Sequence, residues 1–117
     1  MSNVIESSDD RFPNDIPSEG IAVFDFWASW CGPCRSFAPI FEASAALHPD
    51  VRHLKIDVDS NPELSTNYEV RSIPTTMFVR DGVVVGRFPG ALSAPRLEDL
   101  LTQTRNLDMV EIKGSNK

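Results

Sequence analysis

Apolar residues fall along this chain in runs of two kinds, and the difference between them lays out the elements. IAVFDFW, residues 21–27, is apolar at nearly every position and rich in β-branched and aromatic types, the pattern of a strand covered on both faces. Asp25 is the exception inside it. VRHLKIDV, residues 51–58, alternates through Val51, His53 or Leu54, Ile56 and Val58 and predicts another strand. TTMFV, then Asp81-Gly82, then VVVGRF reads as two strands joined by a tight hairpin turn. Helical spacing takes over in RSFAPIFEASAAL, where Phe37, Ile40, Phe41 and Ala45 recur on one face. That helix starts at or near Cys34, is expected to kink at Pro39, and ends at HPD.

In SNPELSTNYEV, Ser60 or Asn61 is an N-cap candidate and Pro62 suits the first turn of a short helix ending near Tyr68. Ser93 can cap a last helix with Leu97, Leu100 and Leu101 inside and Glu98 and Asp99 outside. The first twenty residues are polar, with Val4 and Ile5 as a short strand candidate and Phe12 as a lone apolar anchor. Pro13 and Pro17 keep any helix there short. Residues beyond about Asp108 read as a frayed tail. Strand, helix, strand, helix, strand, strand, helix implies an α/β domain, with parallel pairs first and an antiparallel hairpin at the end.

At 117 residues the chain is long enough for one domain with a sizeable core. Its 41% hydrophobic and 24% charged residues fit an ordinary soluble protein. Eleven basic against seventeen acidic residues give a net charge of −6, with no Lys/Arg cluster, which argues against a nucleic-acid partner. MSNVIESSDDRFPND at the start has neither a basic segment nor an apolar one, so we expect a cytoplasmic protein without a membrane anchor. A reducing compartment disfavours structural disulfides.

Both cysteines lie in WASWCGPCRSF, residues 27–37. Core packing, a structural disulfide, half a metal site and a redox pair are the four readings. Cys31, Cys34, His48 and His53 formally have the spacing of a zinc finger. Such a finger keeps both histidines on one helix, whereas Pro49 disfavours helix at His48 and VRHLKID has strand character. His48 and His53 are therefore read as ordinary surface or strand residues. The redox reading has a mechanism. Only a thiolate attacks a disulfide, and a free cysteine, with a pKa of about 8.5, is mostly protonated at neutral pH. A helix N-terminus offers unpaired N–H groups and the positive end of a dipole. Cys31 just before the helix is then the exposed attacker. Cys34, in the first turn, is shielded and resolves the mixed disulfide, while Pro33 stiffens the spacing.

A carboxylate within an apolar strand is costly unless paired or protonated, and burial should raise the pKa of Asp25 towards neutrality. A proton acceptor for Cys34 has that property; a structural hydrogen bond is the plainer alternative. Lys55, on the neighbouring strand, could modulate that acid, although a strand lysine is usually solvated.

With these residues in view, the chain resembles the thioredoxin family from about Val4 to Leu107. DFWASWCGPCR, residues 25–35, is similar to the family's active-site segment, and Pro39 to its helix proline. KIDVDSNPELSTNYEVRSIPT, residues 55–75, is similar to the stretch leading to the family's cis-proline, which falls on Pro74. DGVVVGRFPGALS, residues 81–93, resembles the hairpin and glycine turn that follow. The resemblance implies a thioredoxin domain over residues 1–107 with a C-terminal tail over 108–117, built as a central mixed sheet with flanking helices. It implies dithiol–disulfide exchange with protein substrates, Cys31 as nucleophile, Cys34 as resolving thiol, Asp25 as proton acceptor and Lys55 as its neighbour. Trp30, Gly32, Pro33, Ile73, Pro74, Gly90 and Ala91 would form the substrate surface, with Trp27 and Phe26 as core or loop support. No bound cofactor is implied. Re-reduction would come from a thioredoxin reductase using NADPH, and a monomer is the simple expectation. An oxidase or isomerase, or a binding module with an incidental dithiol, are the alternatives. Two prolines near the start, about ten residues after the last helix, and Arg35 where lysine is more usual depart from the family pattern.

Overall fold

The computed structural model describes residues 3–115. Along them run β1 (Val4–Glu6), α1 (Phe12–Asp15), β2 (Ile21–Trp27), α2 (Gly32–Leu47), β3 (Arg52–Asp57), α3 (Pro62–Asn67), β4 (Thr75–Arg80), β5 (Val83–Pro89), α4 (Ala94–Arg105) and α5 (Met109–Ser115). Residues 1–2 of the expected domain and 116–117 of the expected tail lie outside the described residues. The strands form one sheet in the order β1-β3-β2-β4-β5. β1 and β2 run parallel to β3, β4 is antiparallel to β2, and β5 is antiparallel to β4. This is the mixed α/β sheet, parallel first and hairpin last, that the apolar runs predict.

β2 lies in the middle, which is why its sequence is apolar almost throughout. Its alternation sends Ala22, Phe24 and Phe26 to one face, where they pack with Leu54, Ile56, Met77 and Val79 and with Phe12 and Leu64 from α1 and α3. Ile21 and Val23 go to the other face with Phe78, under Phe37 and Phe41 of α2 and Leu97, Leu100 and Leu101 of α4. Asp25 continues that second series, so it faces the α2 side of the sheet. Phe12 is not a lone anchor. Its ring meets Phe24 and Tyr68 edge-on, with centroids 5.2 and 5.6 Å apart. The Asp-Gly turn forms as predicted, with φ of 53° at Asp81 and 80° at Gly82. Both residues take the left-handed region that a two-residue hairpin loop requires.

Two local expectations are corrected. Asn61 holds the N-cap position of α3, but neither it nor Ser60 caps the helix with its side chain. The Asn61 amide bonds the Asp57 carbonyl at 3.0 Å, and the α3 cap comes from Asp9. Its carboxylate accepts the backbone N–H of Leu64 at 3.0 Å and of Glu63 at 3.4 Å. The frayed tail is instead the helix α5, with Met109 buried. Asp108 caps it by accepting from the N–H of Val110 and Glu111, at 3.1 and 3.2 Å. A short polar-looking segment gains its helix from one cap and one buried side chain, and its helical periodicity is too brief to read.

His53 is a strand residue, as read from the sequence, and is wholly buried on β3. Its Nδ1 lies 3.0 Å from the Val51 carbonyl oxygen and its Nε2 2.9 Å from Ser44 Oγ. A carbonyl can only accept, so Nδ1 carries the proton and Ser44 donates to Nε2. His48 caps the C-terminus of α2 and contacts Glu98 at 2.7 Å. The α2 helix, 16 residues long, sets that end about 20 Å from Cys34, so the zinc spacing does not bring its four residues together. Burial holds the His53 pKa below its ordinary 6.5, only partly opposed by the Val51 hydrogen bond. The depressed pKa makes this contribution to stability complete above pH 6.5, with loss as pH falls through the lowered folded value. Urea midpoints should therefore drop from pH 7.5 to pH 5. The drop should be smaller in a Ser44→Ala, His53→Val double variant, and an equal drop would refute the assignment.

Candidate active site

The chain leaves β2 at Trp27 and turns, the Cys31 N–H bonding the Ala28 carbonyl at 3.2 Å. Cys31 is the N-cap of α2, in extended conformation, and its sulfur accepts the Cys34 N–H at 3.2 Å. Gly32 and Pro33 occupy the first two helical positions, where proline forfeits no hydrogen bond. Cys34 sits in the first turn, and the helix continues through Pro39. The two cysteines are joined by a disulfide with Cα atoms 5.2 Å apart, so both sulfurs lie at the positive end of the α2 dipole.

The expected contrast between an exposed and a shielded thiol is weaker than the spacing suggests. Cys31 is 5% exposed and Cys34 2%. Trp27, Val58 and Ile73 pack around the pair, and the Ile73 carbonyl oxygen lies 3.7 Å from Cys31 Sγ. The Ile73-Pro74 peptide is cis. The Thr75 hydroxyl bonds the Ser72 carbonyl at 2.6 Å, and the Gly90 N–H bonds the Pro74 carbonyl at 2.8 Å. Gly90 adopts φ +92°, open to glycine at no cost. That hydrogen bond sets Gly90, with the exposed Ala91 after it, against the Pro74 loop. Trp30 is 66% exposed and donates from Nε1 to Asp59 at 2.7 Å. With Val58, Val70, Arg71, Ser72 and Ile73 it lines a groove of about 180 Å³. Arg35 bonds the Ser29 carbonyl at 2.9 Å, tying the loop back to the helix.

Asp25 is fully buried on the face that α2 covers, and neither carboxyl oxygen has a hydrogen-bond partner among the described residues. Burial raises its pKa from 3.8 to about 7, partly opposed by Lys55. Lys55 is its register partner on β3 and holds its ammonium 4.2 Å from the centroid of the Trp27 ring. It is therefore part of the site's surroundings and not freely solvated. The structure brings Trp30, Cys31, Gly32, Pro33, Ile73, Pro74 and Gly90 to one end of the sheet, with Cys34 inside and Asp25 and Lys55 on the strands. Sequence reasoning missed Asp59, Thr75 and Thr76. Asp59 is marked by no local pattern because its partner Trp30 is brought close by the fold, and Thr76 because only strand pairing sets it opposite Asp25.

Comparison with known proteins bears on the same residues. The thioredoxin family model matches residues 3–103. The chain belongs to the thioredoxin family. It is 39% identical over 113 residues to a putative thioredoxin 2 of Streptomyces coelicolor, covering 97% of this chain and 84% of that one. It is 41% identical over 110 residues to a thioredoxin of Mycobacterium bovis, covering 92% and 95%. A Chlamydia trachomatis thioredoxin is 41% identical over 96 residues, covering 82% and 93%. This thioredoxin-family protein is thus a thiol–disulfide oxidoreductase, with Cys31 and Cys34 as its redox-active pair.

The raised Asp25 pKa has a stability consequence. Its contribution is fully present below pH 3.8 and is lost as pH rises through about 7, because the ionised form is then buried. An Asp25→Asn variant should match the parent at pH 4. By pH 8 it should be more stable by about 4 kcal/mol, on the scale of 1.36 kcal/mol per pKa unit. Guanidinium denaturation at the two pH values checks this, and a gap independent of pH would contradict it.

Proposed function

We propose that this protein reduces protein disulfides and is itself re-reduced by a thioredoxin reductase that draws electrons from NADPH. The observation that carries the reading is the Cys31–Cys34 disulfide at the N-terminus of α2. A pair that bonds there can give up two electrons and recover them without rebuilding the fold. In the forward half, the Cys31 thiolate attacks one sulfur of a substrate disulfide, forming a mixed disulfide and releasing one substrate thiolate. Cys34 then passes its proton to the Asp25 carboxylate and attacks Cys31 Sγ. The Cys31–Cys34 bond forms as the second substrate thiolate leaves. Lys55, one strand away, moderates the charge on Asp25.

Substrate docks across Trp30, Gly32, Pro33, Ile73, Pro74, Gly90 and Ala91. The exposed indole and the groove beside it favour an extended segment whose backbone meets that of Ile73. We assign the working domain to residues 1–107, with 108–117 as an appended segment, and place the protein as a monomer in the cytoplasm. No described helix is long and apolar enough to cross a membrane, and the acidic charge of −6 disfavours nucleic acid.

Insulin reduction coupled to NADPH consumption tests the reading directly. Turbidity and NADPH oxidation should both require this protein and a thioredoxin reductase, and both should vanish in the Cys31→Ser, Cys34→Ser double variant. Activity that survives the double variant, or a glutathione titration that places the pair among disulfide oxidants, would replace this function with a scaffold or an oxidase.

A further inference from the structure

Thr76 lies on β4 in register with Asp25 of β2 and is as fully buried as Asp25 itself. Its hydroxyl has no hydrogen-bond partner among the described residues, and both carboxyl oxygens of Asp25 share that condition. The other buried threonines differ. Thr75 bonds the Ser72 carbonyl at 2.6 Å and Thr104 the Leu100 carbonyl at 2.8 Å. Valine would fill the Thr76 position with the same shape and the same preference for strand, without burying a hydroxyl. The hydroxyl therefore needs an explanation that packing does not supply.

Residues directly opposite each other in an antiparallel pair point to the same face, with Cβ atoms about 4.5–5.5 Å apart. Asp25 consequently has Lys55 in register on one side and Thr76 on the other. A rotation about χ1 moves the Thr76 hydroxyl between staggered positions on that face. The charged group turned towards Asp25 from β3 is Lys55. The α2 side brings the cysteines, and β4 and β5 bring Thr76 and its own register partner Phe88, neither of which titrates in this range.

We propose that Thr76 is a positioning residue for disulfide exchange, its hydroxyl donating a hydrogen bond to the Asp25 carboxylate. The inference rests on Asp25 being the proton acceptor for Cys34. In the resolving step the proton leaves the Cys34 thiol and binds the carboxylate, and the new thiolate bonds Cys31 Sγ as the substrate sulfur departs. Thr76 keeps its own proton throughout. By favouring the ionised carboxylate beforehand, it keeps an acceptor ready in a site that otherwise opposes charge. Lys55 does this by charge, and Thr76 by a neutral, directional donor.

The oxidised protein is the place to read this, because its cysteines carry no proton. The Asp25 side-chain carboxyl can be titrated by carbon NMR in the parent, Thr76→Val and Thr76→Ser. Valine should move the midpoint up by about one pH unit and serine should restore it. Single-turnover resolution of a mixed disulfide should follow, its rising limb displaced by the same amount and its rate reduced about tenfold below the midpoint. A valine variant that titrates like the parent, or a serine variant that fails to restore the midpoint, would overturn the inference. A carboxyl shift with no matching shift in resolution would reject Asp25 as the acceptor while supporting its hydrogen bond from Thr76. An Asp25→Asn variant that resolves at the parental rate would reject the same role independently.

Discussion

Desolvation of one carboxyl group sets the terms for the rest of this site. Asp25 sits in the central strand with apolar residues before and after it and is fully buried, so its charge is poorly solvated. A group in that position resists ionising at neutral pH unless its neighbours help, and its two register partners, Lys55 and Thr76, are the groups able to do so. The same burial that costs stability at high pH leaves the acid poised to exchange a proton near neutrality. Stability and reactivity are coupled at this residue, because both depend on how poorly the core solvates a carboxylate.

The sulfur chemistry is organised by a different constraint, the start of α2. Cys31 caps the helix with its sulfur and Cys34 occupies the first turn, so the helix's unpaired N–H groups face the reacting atoms. Trp27, Val58 and Ile73 pack against the pair, and the 2.8 Å bond between the Gly90 N–H and the Pro74 carbonyl holds the loop that carries Ile73. Their closeness explains why both cysteines are nearly buried while Trp30 stands out in solvent. Access to the Cys31 sulfur is correspondingly narrow, with the Ile73 carbonyl oxygen 3.7 Å from it.

Much of the site was legible before any coordinates. The apolar run of β2 identified the central strand and isolated Asp25 as its anomaly, and Cys-Gly-Pro-Cys located the helix start. The Asp81-Gly82 hairpin was readable for the same reason: its signal lies in a few adjacent residues and answers to backbone geometry. The features that the sequence did not show rest on tertiary packing. Asp9 caps α3 from across the fold, and His53 is inside because α2 covers it with Ser44. The α5 helix depends on burying Met109.

The amino-acid order by itself determined where the strands and the longer helices fall, which thiols form the redox pair and which acid is misplaced, since each depends on local periodicity, turn chemistry or composition. Tertiary structure alone decided which strand residues stand opposite one another, and so that Lys55 and Thr76 flank Asp25. It also decided how much solvent each sulfur meets. Strand register and burial are set by all the packed elements together, and free energies of hydration and hydrogen bonding depend on those neighbours more than on residue type.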